Sequence, residues 1–135
     1  TIGSLTVNRH PVWGGGLTDT GNAIMMISLV VGLPSLDADS FKERYLDHAK
    51  VARAHHGFDA YRQNVVEKNA VQRELTSCVC GVDAVSEILL ADEEAWRDRF
   101  YTTTESARAI GHDVAGFLNR DDTSSTLVRR FSGLG

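Results

Sequence analysis

Basic character is scarce in this chain: 14 Lys and Arg residues stand against 18 Asp and Glu, a formal net charge of −4. With a sequence pI near 5.7, that balance argues against the basic footprint of a nucleic-acid-binding domain and against a polybasic membrane surface. Long apolar runs are also missing, and none approaches the roughly 18 residues that a membrane span requires. The best candidate, AIMMISLVVGL at 23–33, is too short and lacks the basic residues that precede a signal sequence's apolar region. It reads as a buried strand. Cysteine is confined to Cys78 and Cys80, in the run CVC. That spacing fits neither a CxxC redox pair nor a zinc knuckle. Reduced thiols and a cytoplasmic location are the expectation under the compartment rule for disulfides. Internal repeats and low-complexity tracts are absent. What remains is 135 residues with 42% hydrophobic content, enough for one domain with one core.

Histidine is the residue type that stands out. Three of the five fall within FKERYLDHAKVARAHHGF, residues 41–58. Phe41, Tyr45, His48, Ala49, Ala52 and His55 recur at offsets 0, 4, 7, 8, 11 and 14, one stripe of a 3.6-residue period. This predicts a helix capped by Asp39 or Ser40 and closed by Gly57. Residues 1–22 lack periodicity beyond a short strand at Ile2–Val7, and they carry the run Gly14-Gly15-Gly16. They read as an N-terminal arm, either flexible or in contact with a partner subunit, and the domain proper is expected at 23–135. Thr1 in place of an initiating Met is what processing or excision from a longer chain leaves. After the 23–33 strand and the helix, FDAYRQNVV reads as a second strand, VEKNAVQRELTSC as a polar connection, and VDAVSEILLA as a third strand. Asp92 is placed to cap a helix bearing Trp96 and Phe100. Helical pattern resumes through ESARAIGHDVAGFLN, and STLVRRF closes as a fourth strand. The order β-α-β-β-α-β defines an α+β, ferredoxin-like arrangement of two split βαβ units.

Four segments carry a likeness in this order. They are the Tyr45-to-His48-Ala49 turn, the Gly57-to-Asn64 strand, the 81–88 strand with Glu87, and Phe117-Leu118-Asn119-Arg120. Together, over roughly residues 24–131, they resemble the EthD-type family of the dimeric α+β-barrel superfamily. Lys50 stands where that family usually has proline, which leaves the helix longer and more regular, and the arm before residue 23 lies outside the resemblance. The resemblance implies a four-stranded antiparallel sheet with helices on one face and a second copy packed on the other, making a homodimeric barrel. It also implies a small ligand held between helices and sheet.

His48 lies on the helix's inner stripe independently of that resemblance. A buried imidazole needs a hydrogen-bond partner, so His48 is either a core histidine donating to a carbonyl or a general acid/base. Tyr61 is suited to donate to an enolate oxygen, or else is a strand aromatic with its hydroxyl at the surface. Glu87 shares a strand face with Val85 and Leu89, as a raised-pKa acid in a pocket or a salt-bridged dimer contact. His48, Tyr61 and Glu87 are therefore the candidate catalytic residues. Tyr45, Ala52 and His55 on the helix, Gln63 on the second strand, and Trp96 and Phe100 on the second helix are the candidate substrate-binding residues. His56 reads as a helix-terminal cap favoured by the dipole, and His112 as a surface residue. Interior filling by Trp96, Phe100 and Phe117 is the structural alternative.

Metal chelation is not expected, because His48 and His55 are two helical turns apart, about 10 Å, and no i, i+4 pair exists. Haem held by one histidine stays open, since distant members of the superfamily bind haem. GxGxxG, GxSxG and Cys/His nucleophile signatures are missing. No cofactor is expected. The sequence points to a cofactor-independent enzyme acting on a hydrophobic, aromatic or polyketide-like molecule by lyase, isomerase, cyclase or decarboxylase chemistry. The alternative is a non-catalytic dimeric binding protein, or an accessory protein of an oxidative degradation pathway.

Overall fold

A computed structural model describes residues 6–13, 22–67 and 82–129 of the chain. Its elements run β1 (Thr6–Trp13), β2 (Ile24–Val30), α1 (Ala38–His55), β3 (Ala60–Glu67), β4 (Ala84–Leu90), α2 (Glu93–Arg99), α3 (Ser106–Val114) and β5 (Ser124–Arg129). The strands form one sheet in the order β1-β3-β4-β2-β5, with every neighbouring pair antiparallel. Its four strands β3-β4-β2-β5 are the ferredoxin-like sheet, with β2 and β4, the first strands of the two split βαβ units, at the centre. The fold is α+β and ferredoxin-like, as the element order predicts.

β1 is a fifth strand at the β3 edge, paired from Thr6↔Glu67 to Trp13↔Tyr61. The expected arm is therefore corrected over this stretch: Thr6–Trp13 lies on its own chain's sheet. The physical reason is at Trp13. Its indole N–H donates to the Phe58 carbonyl at 2.8 Å, its ring packs on Phe58 and Tyr61, and the Arg53 guanidinium sits 5.1 Å from the ring centroid. The triple-glycine run, the 68–81 connection and the CVC run lie outside the described residues.

Local chemistry explains the helix ends. α1 starts two or three residues earlier than predicted, because Asp37, not Asp39 or Ser40, caps it by accepting from the Ser40 amide at 2.7 Å. Its last bond runs from the His56 amide to the Ala52 carbonyl. Gly57 follows for a different reason than a left-handed cap. A Cβ there would lie 2.8 Å from the Arg99 carbonyl oxygen, and the Gly57 amide donates to that same oxygen at 2.7 Å. Asp92 caps α2 as expected, accepting from the Ala95 amide at 2.8 Å.

Strand parity decides what each side chain sees. By register, Tyr61, Gln63 and Val65 align with Ile88, Ser86 and Ala84, and these with Met26, Ser28 and Val30. This face carries the helices and two apolar clusters. One joins Phe41, Tyr45 and Phe117 to Val30, Val65 and Ala84; the other joins Ala52, Phe58, Tyr61 and Ala95 to Ile88 and Leu90. The opposite face carries Arg62, Asn64, Glu87, Leu29 and Val128. Leu29 is 42% and Val128 40% exposed, although β2 is central in the sheet.

Candidate functional site

A cavity of about 460 Å³ opens between the helices and the β2–β4–β5 side of the sheet. Its floor is polar. Gln63, Ser86, Ser28 and Ser125 follow one another across β3, β4, β2 and β5 in register, all on the helix face. The Ser28 and Ser125 hydroxyls are 2.8 Å apart, as are those of Tyr45 and Ser86. The Gln63 amide donates to the Tyr45 carbonyl at 2.6 Å, which ties α1 to the sheet. The lone serines of AIMMISLVV and VDAVSEILL were the signal for this floor, each a small polar residue inside an apolar strand.

His48 is buried on the wall, and its Nδ1 lies 2.6 Å from Asp113 Oδ2 on α3. A carboxylate accepts, so Nδ1–H donates to it, and in the neutral ring Nε2 carries the lone pair. No residue among those described bonds Nε2, and His48 lines the cavity. A carboxylate that orients an imidazole in this way is the arrangement general-base enzymes use. Asp113 escaped the sequence reading. It sits in GHDVAGF beside an exposed His112, and the phase of this short helix relative to α1 is set by the loop before it.

Tyr61 lines the same cavity, 4% exposed. Burial pushes its phenol up to about 12, although the Gln63 and Ser86 side chains favour ionisation, so the hydroxyl stays protonated and able to donate. Burial also raises Tyr45, with the Tyr61 charge adding to it and the Ser86 bond opposing it. Tyr45, Ala52 and Phe100 line the cavity. Gln63 serves from beneath, through its bond to α1.

Other expected residues are placed elsewhere. Glu87 is on the opposite sheet face from His48, where Arg62 Nη1 donates to its Oε2 at 3.1 Å and Asn64 Nδ2 lies 3.4 Å from it. The structure does not bring Glu87 to His48, and Asp113 is the carboxylate that fills that place. His55 turns away, with Nδ1 3.0 Å from the Ser106 hydroxyl at the start of α3. Trp96 stacks on Phe100 at 4.9 Å in the second cluster, and its buried indole N–H has no partner among the described residues. His56 is the C-cap of α1, its amide donating to the Ala52 carbonyl, and its imidazole lies in the cavity wall.

No group of three or more His, Cys, Asp or Glu residues able to hold a metal ion occurs among the described residues. No described helix is long and apolar enough to cross a membrane.

Fold and site together define a ferredoxin-like α+β domain with a histidine–carboxylate pair over a polar-floored cavity. No protein-family model matches the chain, and no curated protein matches it. Among solved structures it is similar to a dimeric ferredoxin-like protein of unknown function from Thermobifida fusca. The TM-score is 0.58 at 17% identity, covering 84% of this chain and 96% of that one. A likeness at this identity shows the fold alone.

Proposed function

We propose that the chain is a cofactor-independent enzyme that moves a proton on a hydrophobic, aromatic or polyketide-like ligand, by lyase, isomerase, cyclase or decarboxylase chemistry. The observation that carries this is the His48–Asp113 pair at 2.6 Å with His48 on the wall of a 460 Å³ cavity. Asp113 holds the imidazole with Nε2 as base, which takes a proton from the carbon next to a ligand carbonyl. Tyr61, kept protonated by burial, donates to the oxygen on which charge develops. The imidazolium, stabilised by Asp113, then returns the proton to product. The motif likeness to EthD-type proteins supports a flat, apolar substrate.

The chain acts as a homodimer in this proposal. β2 exposes Leu29 on the face away from the helices, and Val128 of β5, opposite Met25, is exposed on the same face, which leaves apolar surface that a second copy would cover. The Thermobifida fusca protein is itself dimeric.

The test needs no known substrate. Benzoylacetone and α-tetralone are incubated with the protein in deuterium oxide, and exchange next to the carbonyl is followed by NMR. Exchange above the buffer rate is expected, falling ~10²–10⁴-fold in His48→Ala and ~10²–10³-fold in Tyr61→Phe. Binding of these ketones without exchange would favour the second reading, a ligand-binding or accessory protein. That reading draws support from the serine and tyrosine hydroxyls that are already paired within the protein.

A further inference from the structure

His56 is the buried titratable group that the proton-transfer chemistry leaves unused. It sits just past the end of α1, is 8% exposed, and lines the same cavity as His48. Its ring stacks on Phe58 at 4.1 Å and on Tyr101 at 5.2 Å, with Phe100 edge-on at 4.9 Å. Its Nδ1 bonds the Phe100 carbonyl oxygen. A carbonyl only accepts, so Nδ1 carries the proton, and the other nitrogen of a neutral ring must then be an acceptor. Burial keeps the ring neutral, pushing it down to about 4 against the pull of the Phe100 carbonyl. No described residue bonds Nε2. The cavity wall therefore presents a fixed lone pair, framed by aromatic rings, at the end of α1.

We infer that His56 Nε2 accepts a hydrogen bond from a ligand hydroxyl, so that the cavity selects flat aromatic molecules bearing a phenol or enol. The two imidazoles line one cavity eight residues apart along the chain, close enough that charge on His48 opposes charge on His56, so they address different polar atoms of one ligand. A carboxylate, ether or carbonyl oxygen at the His56 end meets a lone pair and is disfavoured. This deepens the function proposed above and rests on it in taking this cavity as the ligand site.

Calorimetric titration of the full chain with β-naphthol and with its methyl ether tests the assignment. The naphthol is expected to bind about fivefold more tightly, the worth of one hydrogen bond. The preference should vanish in His56→Asn and His56→Phe and persist in His48→Ala. His56→Asn keeps an N–H for the Phe100 carbonyl, so loss of preference there is not a folding defect. NMR of the imidazole nitrogens in the free protein reads the tautomer without any ligand, and a protonated Nε2 overturns the inference. Equal binding of both probes to the unmodified chain also overturns it, while leaving the cavity as a ligand site. If neither probe binds, the inference falls; if the ketones also show no exchange, the proposed enzyme function falls with it.

Discussion

Asp113 is where the site is most exposed to test, because the proposed chemistry needs it to act through His48 and not alone. The two groups lie 2.6 Å apart, with the His48 side chain 10% and that of Asp113 31% exposed. Asp113→Ala leaves a buried Nδ1–H without its acceptor, a loss of about 1–3 kcal/mol when water is excluded. Asp113 is nearly a third open, so water can reach the vacated place, and the lower half of that range, about 1–1.5 kcal/mol, is expected. His48→Ala instead frees a carboxylate that rehydrates, and it removes a ring packed 5.4 Å from Phe117, which costs about 1–2 kcal/mol. In the double variant the bond is lost only once, so the sum of the single losses should exceed the double loss by about 1 kcal/mol. Urea denaturation of the four proteins measures this. The ketone exchange assay gives the matching kinetic cycle: Asp113→Ala should slow exchange, yet adding it to His48→Ala should change nothing further, because no imidazole remains to orient. Stability losses that add within about 0.3 kcal/mol, or a double variant slower than His48→Ala by the full Asp113 factor, would refute the pairing.

Three further outcomes are expected. Leu29→Glu or Val128→Glu should convert a homodimer to monomer in light scattering at micromolar concentration; an unmodified chain that is already monomeric there sinks the dimer. Ser28→Leu should fill the cavity from its floor, weakening β-naphthol at least ~10-fold while changing stability by less than about 1.5–3 kcal/mol; unchanged affinity would mean that the ligand does not enter over this rung. For His56, the ordinary pKa of 6.5 is lowered to about 4 in the folded chain, chiefly by burial. The unfolded chain thus takes up its proton first on acidification, so stability falls as pH drops from about 6.5 to about 4 and levels below that. Urea midpoints across this window should show that slope in the unmodified protein and a flatter one in His56→Phe, and equal slopes would contradict a buried neutral ring.

Much of the fold was legible because its signals are local. The period-3.6 stripe from Phe41 to Ala52 marked α1's buried face, and Phe41, Tyr45, His48 and Ala52 are its buried residues. The Asp92 cap could be read from its position before an i, i+4 aromatic pair. What could not be read is which neighbour lies across a gap. Period-2 alternation separates Tyr61 from Asn64 and Ser86 from Glu87, but it does not say which of the two faces the helices cover. Glu87 was therefore grouped with His48, whereas β3–β4 pairing puts it beside Arg62 on the other side. His55 and His56 show the same limit at a helix end. The stripe extrapolates to His55, but α1 stops there, and the extended backbone of His56 turns the next ring into the cavity while His55 meets Ser106.

The cavity itself follows from where the sheet carries small polar residues. Large side chains gather in two clusters, one around Phe41, Tyr45 and Phe117, the other around Phe58, Tyr61 and Leu90. Between them the helix face of the sheet carries Gln63, which bonds α1, and then Ser86, Ser28 and Ser125, which are too short to fill the space beside it. An interior normally packs to the density of an organic crystal, and three serines in register forgo the apolar contacts that Val or Leu would make there. Their hydroxyls find partners in each other and in Tyr45, which removes the penalty of unsatisfied burial but does not restore the lost packing. His48 at the wall, with Asp113 bonded behind it, adds a second polar pair where an apolar pair of similar size would pack as well. Stability alone gives no reason for either choice. The proposed function gives one, because a hydrogen-bonded floor beneath an oriented imidazole would hold a ligand's polar atoms in a fixed place against a proton donor and acceptor.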